Sequence, residues 1–85
     1  MKLKNGYTLI KHDDYFTILK PDKSEIKTFT LSKYSAFLWE CISKENLSNT
    51  ELLNRLLEKF QISIVLGLGE IDTFIKNCKE NEILE

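Results

Sequence analysis

The one histidine of this chain, His12, stands beside two adjacent aspartates, Asp13 and Asp14. Acid–base or nucleophilic chemistry needs a base within hydrogen-bond reach of a nucleophile, with a further group to orient it. No serine, cysteine or carboxylate has a recognisable spacing to His12, which reads instead as a solvated turn residue. Adjacent aspartates diverge on a strand or turn, so Asp13 and Asp14 read as turn formers rather than as an acid/base pair. Cys41 and Cys78 fall at apolar positions of helical patterns and are expected as buried thiols; the further ligands of a metal centre are lacking. Gly67-Leu68-Gly69 follows no strand and lacks the spacing of a dinucleotide fingerprint or a P-loop, so it reads as a flexible lead-in to a helix. No catalytic residue, metal site or cofactor is expected, and the chain does not read as an enzyme.

Eighty-five residues make a single domain, 1–85, of modest core and modest stability. A content of 42% hydrophobic and 29% charged residues is that of a folded globular chain rather than a disordered one. Twelve basic residues against thirteen acidic give a net charge of −1, without the basic excess usual in nucleic-acid binders. The first residues have no long apolar core after their lysines, and no run is long enough to span a bilayer. The expectation is a cytoplasmic protein with neither a nucleic-acid nor a membrane partner.

The elements that position these residues follow from local pattern. Residues 7–12 and 15–20 are β-rich runs joined by the turn at Asp13-Asp14. Pro21-Asp22-Lys23-Ser24 makes a second turn, because proline fixes φ while Asp and Ser bond to nearby backbone. A third run, residues 25–31, has Ile26, Phe29 and Leu31 as its apolar members. At Leu31-Ser32 the pattern switches to a helix, with the Ser32 hydroxyl placed to accept from an orphan N–H. Tyr34, Phe37, Leu38, Cys41 and Ile42 form its apolar stripe, which Trp39 extends. Thr50 or Ser48 caps a second helix with Leu52, Leu53, Leu56, Leu57 and Phe60 on one side. Residues 62–66 read as an apolar link interrupted by Gly67 and Gly69. A third helix then carries Ile71, Phe74, Ile75 and Cys78, and Ile83-Leu84 can fold back as a clasp. The fold class expected is α+β and winged-helix-like: a three-stranded antiparallel sheet followed by three helices.

A small domain without catalytic groups acts through a surface. A sheet edge offers unpaired N–H and C=O groups that a further strand can complete. The third strand is the candidate edge, and the third helix, with Lys76 and Lys79 flanking its stripe, is the second candidate surface.

The run Leu31-Ser32-Lys33-Tyr34-Ser35-Ala36-Phe37-Leu38-Trp39 resembles the L-N-x-x-(small)-x-x-(apolar)-W signature of PqqD-like proteins, the peptide recognition elements of RiPP biosynthesis. Ser32 stands in place of the usual Asn and Ser35 in place of Gly. Thr50-Glu51-Leu52-Leu53 looks like the T-x-E-L start of that family's second helix. Glu70-Ile71-x-x-Phe74-Ile75-x-x-Cys78 with Ile83-Leu84 resembles its D-V-x-x-F-L-x-x-L-x-x-x-G-L-L ending, with Glu82 in place of Gly. The resemblance implies a non-catalytic adaptor, or peptide chaperone, that binds the leader region of a ribosomally synthesised precursor peptide. It implies delivery of that peptide to a modifying enzyme: a radical SAM enzyme, a leader peptidase or a cyclase. It also implies a site, in which the leader adds to the third strand at Glu25, Ile26, Lys27, Thr28, Phe29 and Thr30. The groove wall would be Ile71, Phe74, Ile75, Cys78 and Lys79. The alternative is a winged-helix DNA-binding regulator, against which stand Glu70, Asp72 and Glu80 beside Lys76 and Lys79 on the third helix, a poor match to phosphates.

Overall fold

A computed structural model describes the backbone of residues 1–85 and all side chains except those of residues 27–30. The strands are β1 (Thr8–Lys11), β2 (Phe16–Leu19) and β3 (Glu25–Leu31), and the helices α1 (Lys33–Lys44), α2 (Asn49–Phe60) and α3 (Ile64–Glu80). The sheet is an antiparallel meander in the order β1-β2-β3. The whole is the α+β fold that the pattern implies.

Turn chemistry sets the meander. The first hairpin closes by a bond from the His12 N–H to the Tyr15 carbonyl (2.8 Å), with Asp13-Asp14 at its tip. The second closes from the Lys20 N–H to the Ser24 carbonyl (2.7 Å). Within it the Asp22 carboxylate accepts from the Ser24 N–H (2.9 Å) and hydroxyl, which hold its carboxyl below the usual value. The β1–β2 register pairs Leu9 with Ile18 and Ile10 with Thr17. On the other side Ile18 faces Ile26, and the register shifts between that pair and Phe16–Leu31. Ile18 and Ile26 are buried against the helices, so one face of the sheet is core.

Ser32 caps α1 by accepting from the Ser35 N–H. The buried side of α1 is Ser35, Ala36, Leu38, Trp39, Cys41 and Ile42, so Trp39 extends the stripe into the core. Tyr34 and Phe37 lie at its margin and meet Phe60 of α2 edge-on at 4.9 and 5.6 Å. Ser48, not Thr50, caps α2 through a reciprocal capping box with Glu51. Ser48 thereby holds the Glu51 carboxyl below its ordinary value.

The largest departure from the sequence pattern is at α3. The apolar stretch read as a link runs into its first turn at Ile64, started by Ser63, whose hydroxyl accepts from the Leu66 N–H at 3.2 Å. Gly67 and Gly69 therefore sit inside a helix. At Gly67 the reason is close packing: a Cβ there would lie 2.9 Å from Leu53 Cδ1 and 3.2 Å from Leu57 Cδ2. At Gly69 nothing lies within 4 Å of that position.

The chain ends are tied together. Leu3 bridges Leu84, the Lys4 N–H bonds to the Ile83 carbonyl at 3.0 Å, and Ile83 is fully buried. The Met1 ammonium bonds to the Leu47 carbonyl at 2.9 Å, which fastens the start of the chain to the α1–α2 connection. Ile83-Leu84 thus do fold back, onto the first residues of the chain. Among the described residues no helix is long and apolar enough to cross a membrane.

Candidate functional site

The strand order leaves β3 at one edge of the sheet, with β2 on its inner side. An edge strand presents a row of main-chain donors and acceptors to any chain laid alongside. Its first residue is held by a relay that the sequence reading did not find. The Thr17 hydroxyl donates to Glu25 Oε1, and His12 Nε2 lies 2.8 Å from Thr17 Oγ1. With the Thr17 hydroxyl donating to Glu25, the imidazole is the donor to Thr17. His12 Nε2 is also 3.4 Å from Glu25 Oε1, and the ring stacks on Tyr15 at 4.5 Å. His12 is thus a half-buried cross-strand tie rather than a solvated turn residue.

The relay does not resemble a catalytic constellation, because Thr17 is only 3% exposed and cannot reach a substrate. Its effect is mechanical: three strands are cross-linked on the sheet face opposite the core, at the residue where the edge strand begins. The two hairpins bring Glu25 back to His12, thirteen positions away; no local spacing signals this.

The remaining β3 positions divide. Ile26 is 5% exposed and points into the core. Lys27, Thr28, Phe29 and Thr30, all expected as strand contacts, have side chains outside the described residues.

On α3, Ile71, Phe74 and Cys78 are at most 2% exposed and belong to the core in this structure. Burial pushes the Cys78 thiol up to about 12. Burial also raises that of Cys41, against the pull of nearby Arg55. Ile75 is half-buried and Lys79 is exposed. Lys79 lines a cavity of about 460 Å³ with Lys4, Glu82, Leu84 and Glu85, where the C-terminal clasp meets α3. Of the five α3 positions expected as a groove wall, Ile75 and Lys79 reach the surface, while the other three support the helix from beneath.

The early start of α3 adds surface that the sequence reading missed. Ile64, Val65, Leu66 and Leu68 are exposed by 59, 82, 43 and 47%. Starting from Gly67, which faces α2, Ile64, Ile75, Leu68 and Lys79 follow at about 60, 80, 100 and 120° round the helix. They form one stripe along the flank of the core row. Ser63, three residues before Leu66, was the signal that could have located this turn of helix.

No family model matches the chain, and no curated protein does. Among solved structures the fold is similar to that of TbiB1 in complex with the TbiA(beta) leader peptide, with a TM-score of 0.72. The match covers 100% of this chain and 95% of that one at 16% sequence identity, a likeness of fold.

Proposed function

We propose that this chain is a non-catalytic adaptor that binds the leader segment of a ribosomally synthesised precursor peptide and delivers it to a modifying enzyme. That enzyme is a radical SAM enzyme, a leader peptidase or a cyclase of the same pathway. In this reading residues 1–85 are one PqqD-like, winged-helix-like recognition domain working in the cytoplasm. The leader adds as a fourth strand at the outer edge of β3, over Glu25, Ile26, Lys27, Thr28, Phe29 and Thr30. It lies against α3 at Ile75 and Lys79, with Ile71, Phe74 and Cys78 fixing the helix from the core side.

The observation that carries this reading is the position of β3 at the sheet edge, in a fold similar to that of a protein solved with a leader peptide. Strand addition takes affinity from main-chain bonds and specificity from side-chain contacts at alternate positions. The His12–Thr17–Glu25 tie favours it further, since an edge already held at its first residue loses less conformational entropy when a partner docks. A dissociation constant in the micromolar range needs about −8 kcal/mol, within reach of a few apolar anchors and a short ladder.

The test uses peptides encoded by short reading frames beside the gene, labelled and followed by fluorescence anisotropy. One of them binds, and Thr28→Pro, which deletes a main-chain donor within the strand, abolishes that binding. If Thr28→Pro stays folded and binds as wild type does, strand addition at β3 is wrong.

A further inference from the structure

We infer that the exposed face of α3 around Gly69 is an interface with a second copy of this chain, in which Val65 of each copy seats over Gly69 of the other. The inference is independent of peptide binding, and none of its residues belongs to the proposed leader site.

Gly69 has no explanation inside the fold. Glycine is disfavoured in a helix interior, and nothing lies within 4 Å of the place its Cβ would take. The close packing that accounts for Gly67 is absent there. Yet the residues around it, Ile64, Val65, Leu66 and Leu68, are apolar and exposed. Val65 is the most exposed large apolar side chain among the described residues. At about 100° per residue, Val65 and Gly69 lie roughly 160° and 200° round the helix from Gly67, so both face away from α2.

Four residues apart, Val65 and Gly69 share one i±4 ridge of the helix surface, a knob followed by a gap. Ridges of this kind pack together when helices cross at about 50°. At that crossing a two-fold axis lays the ridge antiparallel along its copy. Each Val65 then fills the gap left by the other copy's Gly69, and the missing Cβ lets the helices approach closely. Leu66 and Leu68, on either side of the ridge, lie near the two-fold axis and meet their own counterparts. A patch that is its own complement selects a second copy, since an unlike protein would have to bring the same knob and gap.

Charge and area agree. Positions 60–69 contain no charged residue, so no like charges meet at the crossing. Asp72 lies at the rim, with Lys76 one turn further along the same face to offset it. At roughly 180 Å² for a fully exposed aliphatic residue, Ile64, Val65, Leu66 and Leu68 present about 400 Å² per copy. A pair covers about 800 Å² of this surface, and the exposed neighbours Gln61, Asp72 and Thr73 bring the total to about 1,000 Å². That is the size of a small, reversible interface, so the dissociation constant falls at about 10–500 µM.

The experiment is sedimentation equilibrium of the intact chain from about 5 µM to about 1 mM, on wild type, Val65→Asp, Gly69→Ala and Lys11→Glu. All three positions are exposed. Aspartate is favoured in the first turn of a helix and alanine over glycine within one, so the two α3 variants keep a stable monomer. The expected result is a reversible wild-type dimer that Val65→Asp weakens at least ten-fold and Gly69→Ala at least three-fold. Gly69→Ala does so while raising the melting temperature of the dilute monomer, which separates contact from folding. Lys11→Glu, on β1, stays within two-fold of wild type. In a mixed-isotope sample, intermolecular NOEs link the Val65 methyls to the Gly69 Hα protons. A chain that stays monomeric at the highest concentration overturns the inference, as does a dimer that Val65→Asp leaves intact or Lys11→Glu dissolves.

Discussion

Two glycines two residues apart in α3 should respond oppositely to the same substitution. In a helix interior alanine is more favourable than glycine by about 0.8–1 kcal/mol. At Gly69 nothing lies within 4 Å of an added Cβ, so Gly69→Ala gains that full amount. For a domain of this size this raises the melting temperature by roughly 4–8 °C. At Gly67 the same methyl meets Leu53 Cδ1 at 2.9 Å and Leu57 Cδ2 at 3.2 Å. Normal carbon–carbon separation is about 3.5–4.0 Å, so both leucine tips must shift or α2 and α3 must part. Overpacking costs about 1–3 kcal/mol, and because both obstacles are the far ends of half-buried leucines the low end applies, which offsets the helix gain. Gly67→Ala therefore lies at least ~1 kcal/mol below Gly69→Ala in urea unfolding. A Leu53→Ala background, which removes the nearer obstacle, narrows the gap. Equal stabilisation at the two positions would refute the close α2–α3 contact. No gain at Gly69 would refute the start of α3 at Ile64.

Two further outcomes follow from groups in the core and the sheet. Cys78 keeps its proton in the fold up to about 12, against an ordinary value of 9.0. The unfolded chain thus loses that proton first, and stability falls as pH rises from 9 towards 12. Under reducing conditions the stability advantage of wild type over Cys78→Ala shrinks by about 2 kcal/mol between pH 8 and pH 10.5; an unchanged gap would mean that the thiol is not secluded. Thr17→Val keeps the shape of a side chain only 3% exposed but removes its bonds to Glu25 and His12. It should cost about 1.5–3 kcal/mol, the usual worth of a hydrogen bond to a charged group, and a loss in denaturant unfolding below ~0.5 kcal/mol would show that the relay carries no stability.

What the sequence made legible was local. Asp13-Asp14 and Pro21-Asp22-Lys23-Ser24 specify turns by their own side-chain chemistry, and Ser32 marks the strand-to-helix switch by a cap that reaches only three residues ahead. Ile71, Phe74, Ile75 and Cys78 show themselves as one stripe through helical periodicity. The first turns of α3 were illegible because two glycines and an all-round apolar composition erase that periodicity. The reason for Gly67 lies in Leu53 and Leu57 on another helix. Likewise the His12–Glu25 approach exists only after two hairpins have formed. For the candidate site the edge strand could be read in advance, whereas the division of α3 into core (Ile71, Phe74, Cys78) and surface (Ile64, Leu68, Ile75, Lys79) could not. Both sets are apolar in the main, and only packing separates them.

The central claim is that β3 receives a peptide strand, and titration of a leader peptide encoded beside the gene into isotopically labelled protein tests it most directly. The account predicts amide shift changes concentrated in residues 25–31 and 70–80, slowed amide exchange along β3, and intermolecular contacts between the peptide backbone and that strand. Changes confined to β1, at the opposite edge of the sheet, or to the α1–α2 surface, with β3 unaffected, would contradict it.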